Sequence, residues 1–132
     1  RARKFLNESN LDYAHGTGHG VGFFLNVHEG PQSITKINKI KIKKGMILSN
    51  EPGYYKKNNY GIRIENLVYV KNQNGHLFFE NLTMVPIEKD LINYNLLTNF
   101  EKNYLFKYHL NVYSKISKYL NSNEKKWLAS LI

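Results

Sequence analysis

Cysteine is absent from the 132 residues, which excludes a disulfide framework and thiolate metal sites and fits a reducing compartment. Long apolar runs are missing as well. No stretch reaches the roughly 18 residues that a membrane-spanning helix needs, so no membrane partner is expected. The opening RARKFLNESN has no apolar segment followed by small residues and does not read as a signal peptide. Acidic residues are scarce, with 10 Asp and Glu against 19 Lys and Arg, for a formal charge of +9. Such an excess raises nucleic acid as a partner. Only three of the cations are arginines, however, and the lysines are spread along the chain. The densest run, KINKIKIKK at 36–44, alternates Lys with Ile. That is the pattern of a half-buried strand, or of a loop leading into one, with lysines facing water. A solvated basic surface is the simpler reading, and no nucleic-acid partner is expected.

What is present argues for one folded domain. Apolar residues make up 42% of the chain, with ten Tyr and seven Phe, too many for a disordered segment. RARKFLNES reads as the last turns of a helix with no cap upstream of Arg1, so the expectation is a chain cut from something longer. FFLNVHEGP is expected to run as strand into turn, Met46–Leu48 suits a buried strand, and IRIENLVYV at 62–70 is a strong one. Asn74-Gly75 marks a hairpin to HLFFENLTMVPI. From Thr98 the character changes. Thr98 and Glu101 have the spacing of a capping box, and apolar residues recur at 104, 105, 108, 112, 116 and 120. Trp127, Leu128 and Leu131 are expected on one face of a last helix. The order, helix end then antiparallel strands then helices, is an α+β pattern.

The residues that carry chemistry are concentrated in HGTGHGVGFFLNVHEGP, EPGYY and GIRIENLVYV. His15 and His19 are four apart and share a face of an extended chain, and His28 opens the HEGP turn. Glycines between them make either a surface loop or a backbone that something approaches closely. Glu51 and Glu65 are symmetric about Asn58 in the turn KKNNYG. If strands 46–55 and 61–70 close there, the two carboxylates lie opposite each other and repel unless a proton or cation sits between them. Imidazole with carboxylates and no sulfur is a ligand set for a first-row divalent ion, and carboxylate-rich sites suit manganese. GTGHGVG lacks the Gly-Lys-Ser/Thr ending of a phosphate loop and precedes no helical pattern.

Together, in this order, these motifs closely resemble the catalytic domain of the aminopeptidase P family, the Xaa-Pro aminopeptidases of pita-bread fold. The rest of the chain resembles the C-terminal extension of the cytosolic eukaryotic type. The resemblance implies the C-terminal half of a pita-bread fold, with residues 1–90 in the catalytic domain and 91–132 as a helical extension at a homodimer interface. It implies a cytoplasmic enzyme with two divalent ions, Mn²⁺ above all, that releases the N-terminal residue from peptides with proline second. His19, Glu51 and Glu65 match metal ligands, with Glu65 bridging and Glu51 also a general base. His28 matches a residue that hydrogen-bonds the scissile peptide, and His15 one that shapes the proline pocket. Tyr55 lines that pocket, and Arg63 orients a carboxylate ligand. The family's two aspartate ligands lie upstream of these motifs, and neither Asp12 nor Asp90 sits in a matching context. Residues 1–132 alone are therefore expected to be inactive without an upstream portion of the same protein. Prolidase and a non-catalytic pita-bread binding module are the alternatives.

Overall fold

The computed structural model describes residues 2–24 and 26–132. Two compact units divide between Thr83 and Met84. The first holds a short helix α1 (Lys4–Glu8) and seven strands: β1 (Gly18–His19), β2 (Ser33–Ile34), β3 (Ile47–Asn50), β4 (Gly53–Lys56), β5 (Tyr60–Arg63), β6 (Asn66–Gln73) and β7 (His76–Asn81). The second holds the helices α2 (Asn99–Ile116) and α3 (Ser122–Ser130) with short 3₁₀ turns before and between them. The α+β class is as read.

Strand β6 is central, pairing antiparallel with β3 on one side and β7 on the other. Its β-branched and apolar residues suit a half-buried pleat. Val68 and Val70 alternate inward and meet Leu48 of β3, with Ile34, Ile42 and Met46 packed around them. Each fully buried aliphatic side chain contributes roughly 1.5–3 kcal/mol. The β6–β7 hairpin closes at Asn74 and Gly75, both with positive φ (52° and 83°), the backbone a two-residue turn matched to strand twist requires.

The expected hairpin about Asn58 is present, with Asn58 at φ 59°. Strands β4 and β5 pair Gly53 with Arg63, and β3 and β6 pair Asn50 with Asn66, in one continuous register. The expected single strand over 62–70 breaks at Ile64 and Glu65, although Ile64 N–H still donates to the Pro52 carbonyl at 3.2 Å.

Of two apolar stretches, one takes the second of its two expected forms and the other departs from expectation. Residues 36–44 are a loop leading to β3, with Ile37 89% exposed; Ile42 reaches the core. Phe23, Phe24 and residues 26–31 form a loop, not a strand, with Leu25 outside the described residues. Gly22 N–H donates to the Asn26 carbonyl and Glu29 N–H to the Gly20 carbonyl, so the chain turns back early. Phe23 and Phe24 then stand in solvent.

In the second unit Thr98 caps α2 as read, its hydroxyl accepting Glu101 N–H while the Glu101 carboxylate accepts Thr98 N–H at 2.8 Å. The buried stripe is Leu105, Tyr108, His109 and Val112, with Tyr104 54% exposed rather than inside. Tyr108 donates to the Val85 carbonyl at 2.7 Å, and His109 Nε2 accepts Ile87 N–H at 3.0 Å. A second capping box, Asn121 with Glu124, starts α3. Leu128 is buried there while Trp127 is 63% exposed.

Candidate metal centre

The continuous hairpin register places Glu51 opposite Glu65 where the two ladders separate. Strand alternation would face both carboxylates the same way. Residue 19 reaches them because β1 docks beside β3. Glu51 N–H donates to the Thr17 carbonyl at 2.7 Å, and Gly20 bridges to Leu48. The glycines serve this docking. A Cβ on Gly18 would lie 2.0 Å from the Ser49 carbonyl oxygen, so the close approach the sequence suggested is to the chain's own backbone.

Among the described residues, His19, Glu51 and Glu65 each offer a ligand atom, all within 4.8 Å of one another. Glu51 is buried, at 7% exposed. Its Oε1 accepts the Ser49 hydroxyl at 2.8 Å, and its Oε2 accepts Arg63 Nη1 at 2.8 Å. His19 Nδ1 lies 2.9 Å from the Gly20 carbonyl. A carbonyl only accepts, so Nδ1 carries a proton, and in the neutral ring Nε2 presents a lone pair. Nε2 is 3.3 Å from Glu51 Oε1. With the ring neutral, two electron-pair donors so close need a proton or a cation between them. Arg63 offsets one of the two carboxylates and leaves the other. The donor set, two carboxylates and one imidazole with no sulfur, fits a first-row divalent cation.

A directed chain of hydrogen bonds extends from Glu51 outward. Arg63 Nε donates to the Tyr55 hydroxyl at 2.8 Å, which lies 2.7 Å from His15 Nε2. His15 Nδ1 is 2.7 Å from the Gly16 carbonyl, so Nδ1 donates, and in the neutral ring Nε2 accepts with Tyr55 as the donor between them. The Tyr55 hydroxyl beside it holds the Arg63 guanidinium above its ordinary pKa. Arg3 anchors the other end of this segment. It donates to the Tyr13 and His15 carbonyls at 2.6 Å each and stacks 3.8 Å from the Tyr13 ring centroid.

The His28 ring lies 4.1 Å from that of His19, centroid to centroid, and is exposed. All seven residues singled out from sequence thus gather in the first unit. Asp12 is not among them, being bound to Arg3. Ser49 was missed, though its signal was available: a hydroxyl two residues before Glu51 in a strand shares its face.

Residues 1–72 match metallopeptidase family M24, and residues 75–131 match the C-terminal region of peptidase M24. A probable Xaa-Pro aminopeptidase P of Coprinopsis cinerea is 49% identical over 96% of this chain and 22% of its own length. Xaa-Pro aminopeptidase 1 of Dictyostelium discoideum is 45% identical over 99% of this chain and 23% of its own. Among solved structures, the X-prolyl aminopeptidase of Caenorhabditis elegans, described as a cytosolic enzyme with a di-nuclear active site, superposes with a TM-score of 0.89. It is 38% identical over 98% of this chain and 23% of its own. This chain therefore spans less than a quarter of the length of the relatives it matches.

Proposed function

We propose that this chain, which belongs to metallopeptidase family M24, contributes one part of a two-metal site that releases the N-terminal residue from peptides with proline second. The observation that carries this is the convergence of His19, Glu51 and Glu65 within 4.8 Å, in a chain whose relatives are named Xaa-Pro aminopeptidases. His19 Nε2 and the two carboxylates are the groups that would hold the ions, with Glu65 as the bridge and Mn²⁺ as the metal its donors favour. When bound, such ions supply Lewis acidity that makes water a nucleophile near neutral pH and polarises a carbonyl.

The chain's own residues do the remaining work. Glu51 accepts the proton that water gives up and returns it to the departing proline nitrogen. Arg63 and Ser49 hold that carboxylate in one rotamer, from opposite oxygens. His28, exposed beside His19, donates a hydrogen bond where negative charge develops on the scissile carbonyl. His15 and Tyr55, fixed by their shared hydrogen bond, form the wall for the proline ring. In this reading residues 1–90 belong to the catalytic domain and 91–132 form a helical extension at a homodimer interface in the cytoplasm. Three ligands leave two ions under-coordinated, so upstream residues of the same protein supply two more carboxylates, both Asp.

The test is hydrolysis of an Xaa-Pro-Xaa tripeptide with Mn²⁺, beside an Xaa-Ala-Xaa control, by the 132-residue chain and by the full-length protein. Proline-selective cleavage by the full-length protein alone is expected. Equal cleavage of both peptides would overturn the substrate class. Sedimentation of the full-length protein as a monomer would remove the dimer.

A further inference from the structure

We infer that Ser49 is the positioning residue that sets His19 against Glu51, a role that rests on the metal-site reading above. Its side chain is wholly buried, at 0% exposed. A hydroxyl has one proton and two lone pairs. Here the proton goes to Glu51 Oε1 at 2.8 Å, and a lone pair accepts the His19 backbone N–H at 2.9 Å. No other side chain touches both proposed ligands through hydrogen bonds among the described residues.

The backbone around it shows what the hydroxyl replaces. The segment 17–21 runs antiparallel to 47–51. At one end Glu51 N–H donates to the Thr17 carbonyl at 2.7 Å, and at the other Val21 N–H donates to the Ile47 carbonyl at 3.3 Å. Hydrogen-bonded pairs recur every second residue in such a ladder. The pair between them, His19 with Ser49, should therefore use the Ser49 carbonyl. It uses the Ser49 hydroxyl instead. The ladder is diverted at one rung, and that rung carries an imidazole ligand.

The diversion has a consequence for the site. Because the same oxygen holds His19 N–H and donates to Glu51, a shift of either ligand is felt by the other. Removing the hydroxyl frees His19 N–H to fall back onto the Ser49 carbonyl and leaves Glu51 Oε1 without its donor. Both changes move ligand atoms while keeping the strand paired. Gly18, flush against the Ser49 backbone, holds the segment in place, so the loss is one of ligand placement rather than of docking.

The experiment uses full-length protein stripped of metal and titrated with Co²⁺, whose d–d absorption reports ligand number and type, with binding constants from calorimetry. Ser49→Ala is expected to weaken Co²⁺ binding about 10- to 100-fold, the usual effect of removing a group that orients a ligand, and to alter the d–d spectrum. Ser49→Thr, which keeps the hydroxyl, is expected to restore both. Parent-like binding by Ser49→Ala would overturn the proposal, as would equal loss in Ser49→Thr, which would mark a packing role. Should Ser49→Ala not fold, the threonine variant decides: parent-like binding supports the role and weakened binding overturns it. A parent protein that binds no Co²⁺ would overturn the metal-site reading itself, an outcome distinct from the others.

Discussion

Glu51 and Glu65 stand opposite each other at the one place where a continuous hairpin register passes from one sheet to another, between the Asn50–Asn66 and Gly53–Arg63 pairs. Like charges facing across strands destabilise a sheet. In the metal-free protein, Glu65→Gln should therefore leave stability unchanged or raise it by a few tenths of a kcal/mol, of the order seen for cross-strand pairs. The same variant should lose divalent-ion binding. Urea unfolding with and without EDTA checks both, since an ion bound only by the folded protein adds about 2.7 kcal/mol at one hundred times its Kd. A variant less stable without metal, yet still stabilised by Mn²⁺, would contradict the pairing argument.

Arg63→Lys should behave as a severe change. The guanidinium reaches Glu51 with Nη1 and Tyr55 with Nε, and an ammonium cannot span both from one stem. A loss of roughly 10- to 100-fold in kcat/KM is expected, with the fold intact by circular dichroism. Tyr55→Phe should cost less alone. Combined with Arg63→Lys it should add little, because the two side chains act in one chain of hydrogen bonds.

The glycines of the first unit divide sharply. A Cβ on Gly18 would sit 2.0 Å from a backbone oxygen of Ser49, whereas one on Gly16 would meet the Thr35 methyl at 3.0 Å and no backbone atom nearer than the Gly18 carbonyl oxygen at 4.0 Å. Backbone cannot yield as a side-chain methyl can. Gly18→Ala is expected to destabilise by about 3 kcal/mol, the upper range for overpacking, and to pull His19 from the cluster. Gly16→Ala should be nearly silent in thermal unfolding.

Much of this was legible locally. The symmetry of Glu51 and Glu65 about Asn58, the Asn74-Gly75 turn and the Thr98–Glu101 box each depend on residues close in sequence, and each is present. What was not legible depended on distant partners. The alternation of KINKIKIKK suggested a strand or a loop leading into one, and the loop formed because only Ile42 finds the Leu48 and Val68 core. Phe23 and Phe24 looked like strand until Gly20 and Gly22 closed backbone bonds with Glu29 and Asn26. Strand alternation could have paired Ser49 with Glu51, but its link to His19, thirty residues away, was not legible because it requires that N–H to be brought alongside.

The second unit carries its own pH dependence, centred on His109. Burial pushes its imidazole below the ordinary value of 6.5. Its Nε2 accepts Ile87 N–H, a bond that exists only while that nitrogen has a lone pair. Lys102 lines the same cavity, beside Leu105 and Phe106, and offers no anion to compensate a proton. The folded state thus binds a proton less readily than the unfolded chain. Stability is fully present above the unfolded value of about 6.5 and is lost as pH falls through the lower folded value. Glu101, held below its ordinary value of 4.5 chiefly by the Thr98 hydroxyl, adds a further loss of the same sign, in a window below 4.5. The exchange protection factor of the Ile87 amide should therefore drop between pH 7.5 and 5.5, before the carboxylate window opens. His109→Gln, whose amide oxygen can still accept that N–H, should flatten the drop. An Ile87 protection factor that is equally steep in the variant would assign the acid sensitivity to other groups.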